Sequence, residues 1–313
     1  MKRAVWRLAL ASACALVGYP HHSMTPALAT AIYVAYGVDA LDLTWIRDDD
    51  CVVVVHNDRR LSPTACRHAQ VTHVHADGNV GFGRAVMLAL DAVSTPRSVI
   101  CNPDTVLQPA HWDLLRAGGP LELATVPLVE PSGRPTIVSS SYPTPLSLIL
   151  TAFRAGRLAP RGTRRRAVAE TALRLASADV EAARASGTSA RFPLHERWLS
   201  GAVLSVDTGL LRQTGLDPNY FLYFEDLDLC RRIARSHPEA VGVVHLVAPG
   251  IHLVGGSART WRDRRLVSAA RLTSATRYAR TQQGPGWLAA AIVLAGAARF
   301  SLPCSTSANG STG

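Results

Sequence analysis

The sequence predicts an α/β fold in which a doubly wound, mostly parallel central sheet is flanked by helices. Continuous apolar runs, of which residues 51–55 are the clearest, are typical of parallel strands that are covered on both faces. These runs alternate with helical patterns, and turn residues such as Asn102-Pro103-Asp104 follow the strands. In sheets of this kind, ligands bind at the carboxyl ends of the strands.

Length and composition support one large domain or two smaller ones. The chain has 313 residues, of which 48% are hydrophobic and 18% are charged, which excludes a disordered or collagen-like chain. It lacks an apolar run of about 18 residues, the length that a membrane-spanning helix needs. The six cysteines form no C-x-x-C pair, so they indicate neither a metal knuckle nor a disulfide framework, and we infer a reducing compartment.

The elements are predicted in chain order from these patterns. In the first half we predict one helix, at residues 84–92. We predict four strands there, at residues 28–36, 51–55, 71–75 and 98–101. In the second half we predict one amphipathic helix, at residues 225–235. We predict three strands there, at residues 121–129, 198–206 and 240–247. Residues 146–185 have helical propensity.

The net charge of +10 is concentrated in two segments. Residues 151–197 contain ten arginines and four acidic residues, and residues 258–280 contain seven arginines and one acidic residue. Together with the short apolar run at 287–300, they favour peripheral contact with an anionic membrane or a lipid-diphosphate acceptor. The alternative is a set of solvated helix faces in an arginine-rich protein. No nucleic-acid partner is expected, because basic and aromatic residues are not interleaved.

The first 23 residues have two interpretations. Lys2 and Arg3 precede an apolar run, as in a signal peptide, but Arg7 interrupts that run. We favour translation from Met24, which makes residues 1–23 a non-native or disordered extension. A secretory signal is the alternative.

Five segments occur in an order that is typical of one enzyme family. They are Asn-Val-Gly-Phe-Gly at 79–83, Cys-Asn-Pro-Asp-Thr at 101–105, Trp-Leu-Ser-Gly-Ala at 198–202, the acidic segment 221–230 and His-Leu-Val-Gly-Gly-Ser at 252–257. Together they resemble the inverting family 2 glycosyltransferases of GT-A fold, especially the bacterial rhamnosyltransferase-like branch. The resemblance implies a catalytic domain at 24–257, with a nucleotide-binding half at 28–125 and an acceptor half at 126–257. Residues 258–313 then form a basic and apolar helical tail.

The resemblance implies a divalent metal, Mg²⁺ or Mn²⁺, at the strand end that carries Asp104. Taken alone, Asn102-Pro103-Asp104 is an ordinary turn that ends a strand. In the family this position holds a D-x-D motif, whose last aspartate binds a metal that bridges the two donor phosphates. Such a cation neutralises the charge of a leaving diphosphate. By the same resemblance His252 is a second metal candidate.

Glu225 and Asp226 are the predicted catalytic residues. An acidic run at a helix start ordinarily complements the helix N-terminus. Here aromatic residues precede the run, and apolar surroundings make a carboxylate more basic. By the family's E-D-x-D pattern, Asp226 is the general base that deprotonates the acceptor hydroxyl. Glu225 is the runner-up, which orients or touches the acceptor, whereas Asp228 is a capping or structural acid.

The remaining site residues are also implied by the resemblance. His56 stands where many members have an aspartate that binds the base or ribose. On the acceptor side the resemblance implies Trp198 and Gly201. The contacts implied for the nucleotide-sugar donor are Tyr36, His56, Asn57, Asp58, Asn79, Gly81, Arg84 and Asn102.

The function implied is transfer of a sugar, with rhamnose as the first candidate, from a nucleotide diphosphate sugar to a glycan or polyprenyl-linked acceptor. The expected location is the cytoplasmic, inner face of the cell membrane. A catalytically inactive nucleotide-sugar-binding homologue is the alternative, motivated by His56 and Met87 at positions where the family has other residues. A nucleotidyltransferase is disfavoured, because the chain lacks a glycine- and lysine-rich phosphate loop.

Overall fold

The structure, a computed structural model, describes three stretches of the chain. They are residues 29–153 apart from 59, 60, 63–65, 67 and 69, residues 189–253, and residues 261–293 apart from 283–287 and 290. The predicted extension at 1–23, most of the arginine-rich segment 151–197 and the end of the tail lie outside the described residues.

Strands and helices alternate through the described residues. The strands are β1 (Ala29–Ala35), β2 (Cys51–His56), β3 (Val71–His75), β4 (Arg97–Cys101), β5 (Thr105–Val106), β6 (Glu122–Thr125), β7 (Leu128–Val129), β8 (Ser139–Ser141), β9 (Ser189–Pro193), β10 (Arg197–Leu199), β11 (Val203–Asp207), β12 (Val241–His245) and β13 (Gly250–His252). The helices are α1 (Phe82–Leu90), α2 (Pro109–Leu115), α3 (Pro145–Phe153), α4 (Thr208–Thr214), α5 (Glu225–Ser236) and α6 (Trp261–Gln282).

A mixed eight-stranded sheet forms the centre of the fold. Its strand order is β3-β2-β1-β4-β11-β6-β12-β9. Strands β3, β2, β1 and β4 are mutually parallel, as are β6 and β12, whereas β11 and β9 run antiparallel to their neighbours. The prediction of an α/β fold with a mostly parallel central sheet is confirmed.

Both faces of the sheet are covered, as the apolar run in β2 predicted. Val53 and Val55 belong to one core cluster, which includes residues of α1, α4 and α5. Val52 and Val54 belong to the cluster on the opposite face, which includes the loop at 41–46 and helix α2. Successive side chains of a strand point to opposite faces, so a strand buried on both sides is apolar throughout.

Two predicted strands are each divided in the structure. The segment 121–129 forms β6 and then β7, which leaves the central sheet and pairs with β13. The segment 198–206 forms β10, a turn at Ser200-Gly201-Ala202, and β11. In both segments the residues before and after the break are apolar, because they are buried whether the segment forms one strand or two. The apolar pattern alone therefore does not reveal the break. Pro127, whose nitrogen carries no hydrogen, and Gly201 mark the breaks.

The tail helix α6 packs against the rest of the domain. A third core cluster contains Leu227 of α5, Tyr278 of α6 and, further along the tail, Leu288 and Ile292, which are all but inaccessible to solvent. The apolar side chains of Leu288 and Ile292 are therefore used within the protein, and the predicted peripheral contact of the tail with a membrane stays untested. Among the described residues, no helix is both long and apolar enough to cross a membrane.

Candidate active site

The predicted donor residues meet at one edge of the central sheet. Parallel strands β1, β2 and β4 end there, which places Tyr36, the segment 56–58 and Asn102 along that edge. Strand β11 runs in the opposite direction and therefore begins at the same edge. The Asn102 N–H donates a 2.8 Å hydrogen bond to the carbonyl of Ala202, which brings the turn containing Gly201 into the site.

Asn57 holds the glycine turn that precedes α1. Its side chain is only 2% exposed, accepts from the Val80 N–H at 2.9 Å and donates to Asn79 Oδ1 at 3.0 Å. Asn79 Oδ1 also accepts from the Gly81 N–H at 3.1 Å. The amide of Asn57 is therefore used within the protein to position the turn, and its predicted contact with the donor stays untested.

Gly81 occupies a position that only glycine can fill. Its φ is +88°, and an added Cβ would lie 2.5 Å from the carbonyl oxygen of Phe221. The adjacent Phe82 N–H donates to that same oxygen at 2.9 Å, so the glycine turn and the aromatic turn at 220–224 are in direct contact. The turn that carries the predicted donor contacts Asn79 and Gly81 is thus connected to the segment that leads into the acidic helix.

Replacing Gly81 by Ala is expected to lower the unfolding free energy by about 3 kcal/mol, because backbone strain and a clash with Phe221 add. Gly78→Ala is the matched control: φ is also positive there, at +74°, but nothing lies within 4 Å of the added Cβ. We expect that control to cost about 1 kcal/mol. Urea unfolding of both variants measures the difference, and equal losses would show that the contact with Phe221 is not rigid.

Three histidines form a cluster at the ends of β2 and β3. His56 is 4% exposed, and its Nε2 lies 2.9 Å from His73 Nδ1. The His56 ring also stacks on His75, with ring centroids 4.6 Å apart. Burial, with the two neighbouring imidazoles, lowers the pKa of His56 below its ordinary value. The structure therefore leaves His75 as the exposed ring of this cluster, whereas His56 lies behind it.

Asp58, Arg84 and Trp198 also have contacts within the protein. Asp58 Oδ2 accepts from the Gly37 N–H at 2.7 Å, which links the ends of β1 and β2. Arg84 Nε donates to the carbonyl of Pro218 at 3.0 Å. Trp198 is half-buried in β10. The contacts of these residues with donor or acceptor stay predictions.

Asp104 and His252 are brought together by the pairing of β5 with β13. The register places His252 opposite Thr105, and the Leu253 N–H donates to the main-chain carbonyl of Asp104 at 2.9 Å. As a result, His252 Nε2 lies 3.3 Å from Asp104 Oδ1, and both side chains are largely buried. His252 Nδ1 is buried and has no partner among the described residues.

The pair fits a divalent metal as a partial ligand set. A carboxylate oxygen and an imidazole nitrogen are suitable ligands for Mn²⁺, and the second ring nitrogen of His252, the buried Nδ1, is a polar atom that a ligand could satisfy. Within the part of the chain that the structure describes, no group of three or more His, Cys, Asp or Glu residues could hold a metal. The other ligands would have to be substrate oxygens and water.

The acidic helix α5 begins with a strained backbone. Tyr223 and Phe224 have φ values of +68° and +71°, which is unusual for residues with a side chain. A left-handed conformation of this kind costs about 1–3 kcal/mol per residue and persists where surrounding contacts impose it. Such strain is concentrated at functional sites. Here it sets the direction in which Glu225 and Asp226 enter the helix.

Asp226 has its carboxylate fixed by two main-chain donors. The Gly201 N–H donates to Oδ2 at 2.9 Å, and the Leu227 N–H donates to Oδ1 at 2.9 Å. An added Cβ on Gly201 would lie 3.5 Å from the Asp226 Cβ, which is an ordinary van der Waals contact, so the turn packs directly against this side chain. Desolvation raises the pKa of Asp226 despite these donors, which makes it a stronger base than an exposed aspartate.

Glu225 is a buried acid beside this carboxylate. It is 7% exposed, and its Oε2 has no hydrogen-bond partner among the described residues. Burial and the neighbouring Asp226 raise the pKa of Glu225 to about 8. Glu225 is therefore mostly protonated at neutral pH. Asp228, by contrast, is paired: its oxygens accept from Arg232 Nε and Gln282 Nε2, both at 2.7 Å, as expected of a structural acid.

The raised pKa of Glu225 predicts an unusual dependence of stability on pH. Between about pH 4.5 and pH 8, the folded protein holds a proton that the unfolded chain has released, so stability falls as pH rises. Glu225→Gln removes the titrating group, and the variant should lose less unfolding free energy between pH 5 and pH 8 than the wild type. Urea unfolding measures this, with Asp77→Asn, at an exposed acid, as control. Identical pH slopes for wild type and Glu225→Gln would contradict the assignment.

Comparisons with known proteins add distant structural similarities. No protein-family model and no curated protein matches the sequence. The chain is similar to a crystal structure of GalNAc-T7 with UDP, GalNAc and Mn²⁺, at 8% identity and a TM-score of 0.49, over 83% of this chain and 49% of that chain, about half its length. It is similar to the mannosyltransferase PcManGT from Pyrobaculum calidifontis in complex with GDP-Man and Mn²⁺, at 16% identity and a TM-score of 0.42, over 88% and 77% of the two chains. A third similarity is to mannosyl-3-phosphoglycerate synthase from Rubrobacter xylanophilus, at 14% identity and a TM-score of 0.43, over 83% and 76%. Similarities at this level do not show a family.

Proposed function

We propose that this protein is an inverting glycosyltransferase of the GT-A type, which moves a sugar from a nucleotide diphosphate sugar to an acceptor hydroxyl. One observation carries the proposal: the adjacent residues Gly201 and Ala202 join two acidic sites. Gly201 donates to Asp226, and Ala202 accepts from Asn102, two residues before Asp104. A carboxylate suited to take a proton is thus tied to a carboxylate–imidazole pair suited to a metal.

In this mechanism Asp226 is the general base. The acceptor oxygen forms a bond to the anomeric carbon of the donor sugar as the bond from that carbon to the diphosphate breaks. The acceptor proton passes to the Asp226 carboxylate, which its raised pKa makes a better proton acceptor at neutral pH. The N–H groups of Gly201 and Leu227 hold this carboxylate in one orientation. Glu225, kept neutral by burial, adds no second negative charge beside it.

Asp104 and His252 are the residues that would hold a divalent metal, Mg²⁺ or Mn²⁺. When bound, the metal would neutralise charge on the leaving diphosphate. The protein's own contribution is to position the two candidate ligands. The β5–β13 pairing holds Asp104 and His252 in contact, and the Asn102 N–H attaches the end of β4 to the turn that precedes β11.

The donor and acceptor are proposed from the five segments that resemble the rhamnosyltransferase-like branch of family 2. Rhamnose, from a nucleotide diphosphate donor, is the first candidate for the sugar. A glycan or polyprenyl-linked molecule on the inner face of the cell membrane is the candidate acceptor. The reducing compartment that this requires agrees with the four described cysteines, Cys51, Cys66, Cys101 and Cys230, which are free thiols.

A thermal-shift screen tests this function. The protein is heated with a panel of nucleotide diphosphate sugars, each with Mn²⁺ and with a chelator. A ligand that binds only the folded state raises the melting temperature. We expect stabilisation by one class of donor, dependent on the metal, and release of its nucleotide diphosphate when acceptor is added. Donor binding without transfer to any acceptor would favour the inactive homologue, and no stabilisation at millimolar donor would contradict both interpretations.

A further inference from the structure

Helix α6 holds the turn that leads into the acidic helix. This aromatic turn, residues 220–224, ends in the left-handed residues Tyr223 and Phe224. Neither residue is a glycine, so the conformation has to be imposed by neighbouring groups. Three side chains of α6 contact the three consecutive residues 222–224, one each.

Ser274 makes the polar contact of the three. Its side chain is buried, with 2% exposed, and its hydroxyl donates a 2.9 Å hydrogen bond to the carbonyl of Leu222. A carbonyl can only accept, so the hydroxyl is the donor. The bond fixes the orientation of the peptide group that joins Leu222 to the first left-handed residue, Tyr223.

The other two contacts are made by rings. The guanidinium of Arg271 lies 4.4 Å from the ring centroid of Tyr223, within the range of a cation–π interaction. The rings of Phe224 and Tyr278 have centroids 5.4 Å apart. Positions 271, 274 and 278 follow an i, i+3, i+7 spacing, which places them on one face of a helix. The sequence of α6 therefore presents a single surface to the turn.

Displacement of the turn would reach both sides of the site. The Phe221 carbonyl accepts from Phe82 next to Gly81, and Asp226, two residues after the turn, accepts from Gly201. We propose that Ser274 is a positioning residue, which keeps Asp226 aligned by holding the Leu222 carbonyl. This inference rests on the proposed function, in which Asp226 is the base. Ser274 itself acts only through the turn.

The test compares Ser274→Ala with Thr276→Ala in the full chain. Thr276 is the matched control, because its hydroxyl donates to the Leu272 carbonyl inside the same helix, also at 2.9 Å. We expect Ser274→Ala to lower kcat about tenfold while KM and Kd for the donor stay within about twofold, since small misplacements act on the chemical step. Thr276→Ala should keep both constants within about twofold.

Amide hydrogen exchange of residues 221–227 gives a second readout that needs no activity. We expect exchange to be about fivefold faster or more in Ser274→Ala than in the wild type or Thr276→Ala. If the wild type transfers no sugar, the proposed function fails, and exchange still decides whether Ser274 holds the turn. If Ser274→Ala does not fold, Arg271→Gln, at an exposed residue, replaces it in the test. We expect Arg271→Gln to lower kcat about threefold and to speed the same amide exchange.

Either of two results would overturn the positioning role. One is wild-type exchange and wild-type kcat in Ser274→Ala. The other is a parallel loss of kcat and donor affinity in both Ser274→Ala and Thr276→Ala, which would indicate general loosening of α6.

Discussion

Asp226→Asn is expected to lower the rate of sugar transfer by a factor on the order of 10² or more, the scale for removing a positioned general base. Asparagine has nearly the same shape, and its single carbonyl oxygen can still accept one of the two N–H groups that hold the aspartate. It cannot take up the acceptor proton. Donor affinity should change by no more than about threefold, because in the proposed mechanism the diphosphate would be held elsewhere, at Asp104 and His252. Steady-state transfer rates and donor calorimetry measure the two quantities separately.

Two neighbouring acids serve as controls for this variant. Glu225→Gln mimics the neutral form of a residue that burial already keeps protonated, so it should impair the chemical step less and act more on acceptor affinity. Asp228→Asn weakens the contacts with Arg232 and Gln282, so it should lower the melting temperature while folded enzyme still transfers sugar. Near wild-type transfer by Asp226→Asn, with an inactive Glu225→Gln, would move the base by one residue. If all three variants transfer sugar and only melt earlier, the acidic run is structural.

The parts of the fold that sequence predicted are those with strong local patterns. The β-branched run of β2 and the amphipathic period of α5 depend on residues close together in the chain. Strands β5, β8, β9 and β13 and helices α2 and α4 were not predicted, because they are short and their residues show no clear period. Their stability comes from pairing and packing with distant segments, such as β9 with β12.

The candidate site shows the same division. Motifs singled out Asp104 and His252 individually, but their contact depends on an antiparallel pairing of two short strands far apart in the chain. Aromatic residues ordinarily avoid the left-handed region, so nothing local predicts it at Tyr223 and Phe224. The role of Ser274 was likewise not predicted, although the spacing of positions 271, 274 and 278 is a signal once the partner turn is known.

The arginines of the tail show how little a net charge says about the role of each residue. The arginine excess at 258–280 favoured a membrane contact, but Arg271 lies on Tyr223, and Arg277 forms an ion pair with Asp217 at 2.6 Å and lies 5.5 Å from the Tyr220 ring. Arginine has a long apolar stem and a planar cation, and both can pack within a protein. The net charge of a segment therefore does not distinguish arginines that make contacts within the protein from arginines that bind another molecule.

Asp104→Asn is expected to abolish the metal dependence of donor binding and leave the fold intact. The turn after β4 is held by main-chain groups and Thr105: the Thr105 hydroxyl donates to the Asn102 carbonyl at 2.7 Å, and Leu253 donates to the main-chain oxygen of Asp104. The carboxylate is therefore free to be replaced without breaking the turn. Chelation of Mn²⁺ should weaken donor binding by about tenfold or more in the wild type, whereas the variant should bind weakly with and without metal.

Donor titrations with Mn²⁺ and with chelator measure this dependence, and a Mn²⁺ titration followed by electron paramagnetic resonance measures the metal without donor. Asp77→Asn is the matched control: it removes an exposed carboxylate after β3, at the same edge of the sheet, and should keep the wild-type metal dependence. This control distinguishes an effect caused by the loss of a metal ligand from one caused by the loss of a negative charge at this edge of the sheet. His252→Gln should reproduce the effect of Asp104→Asn in part, since the two side chains lie 3.3 Å apart and would share the ion. Unchanged metal dependence in Asp104→Asn would show that this carboxylate is not a metal ligand. His252 would then lack the second protein ligand that the β5–β13 pairing places beside it.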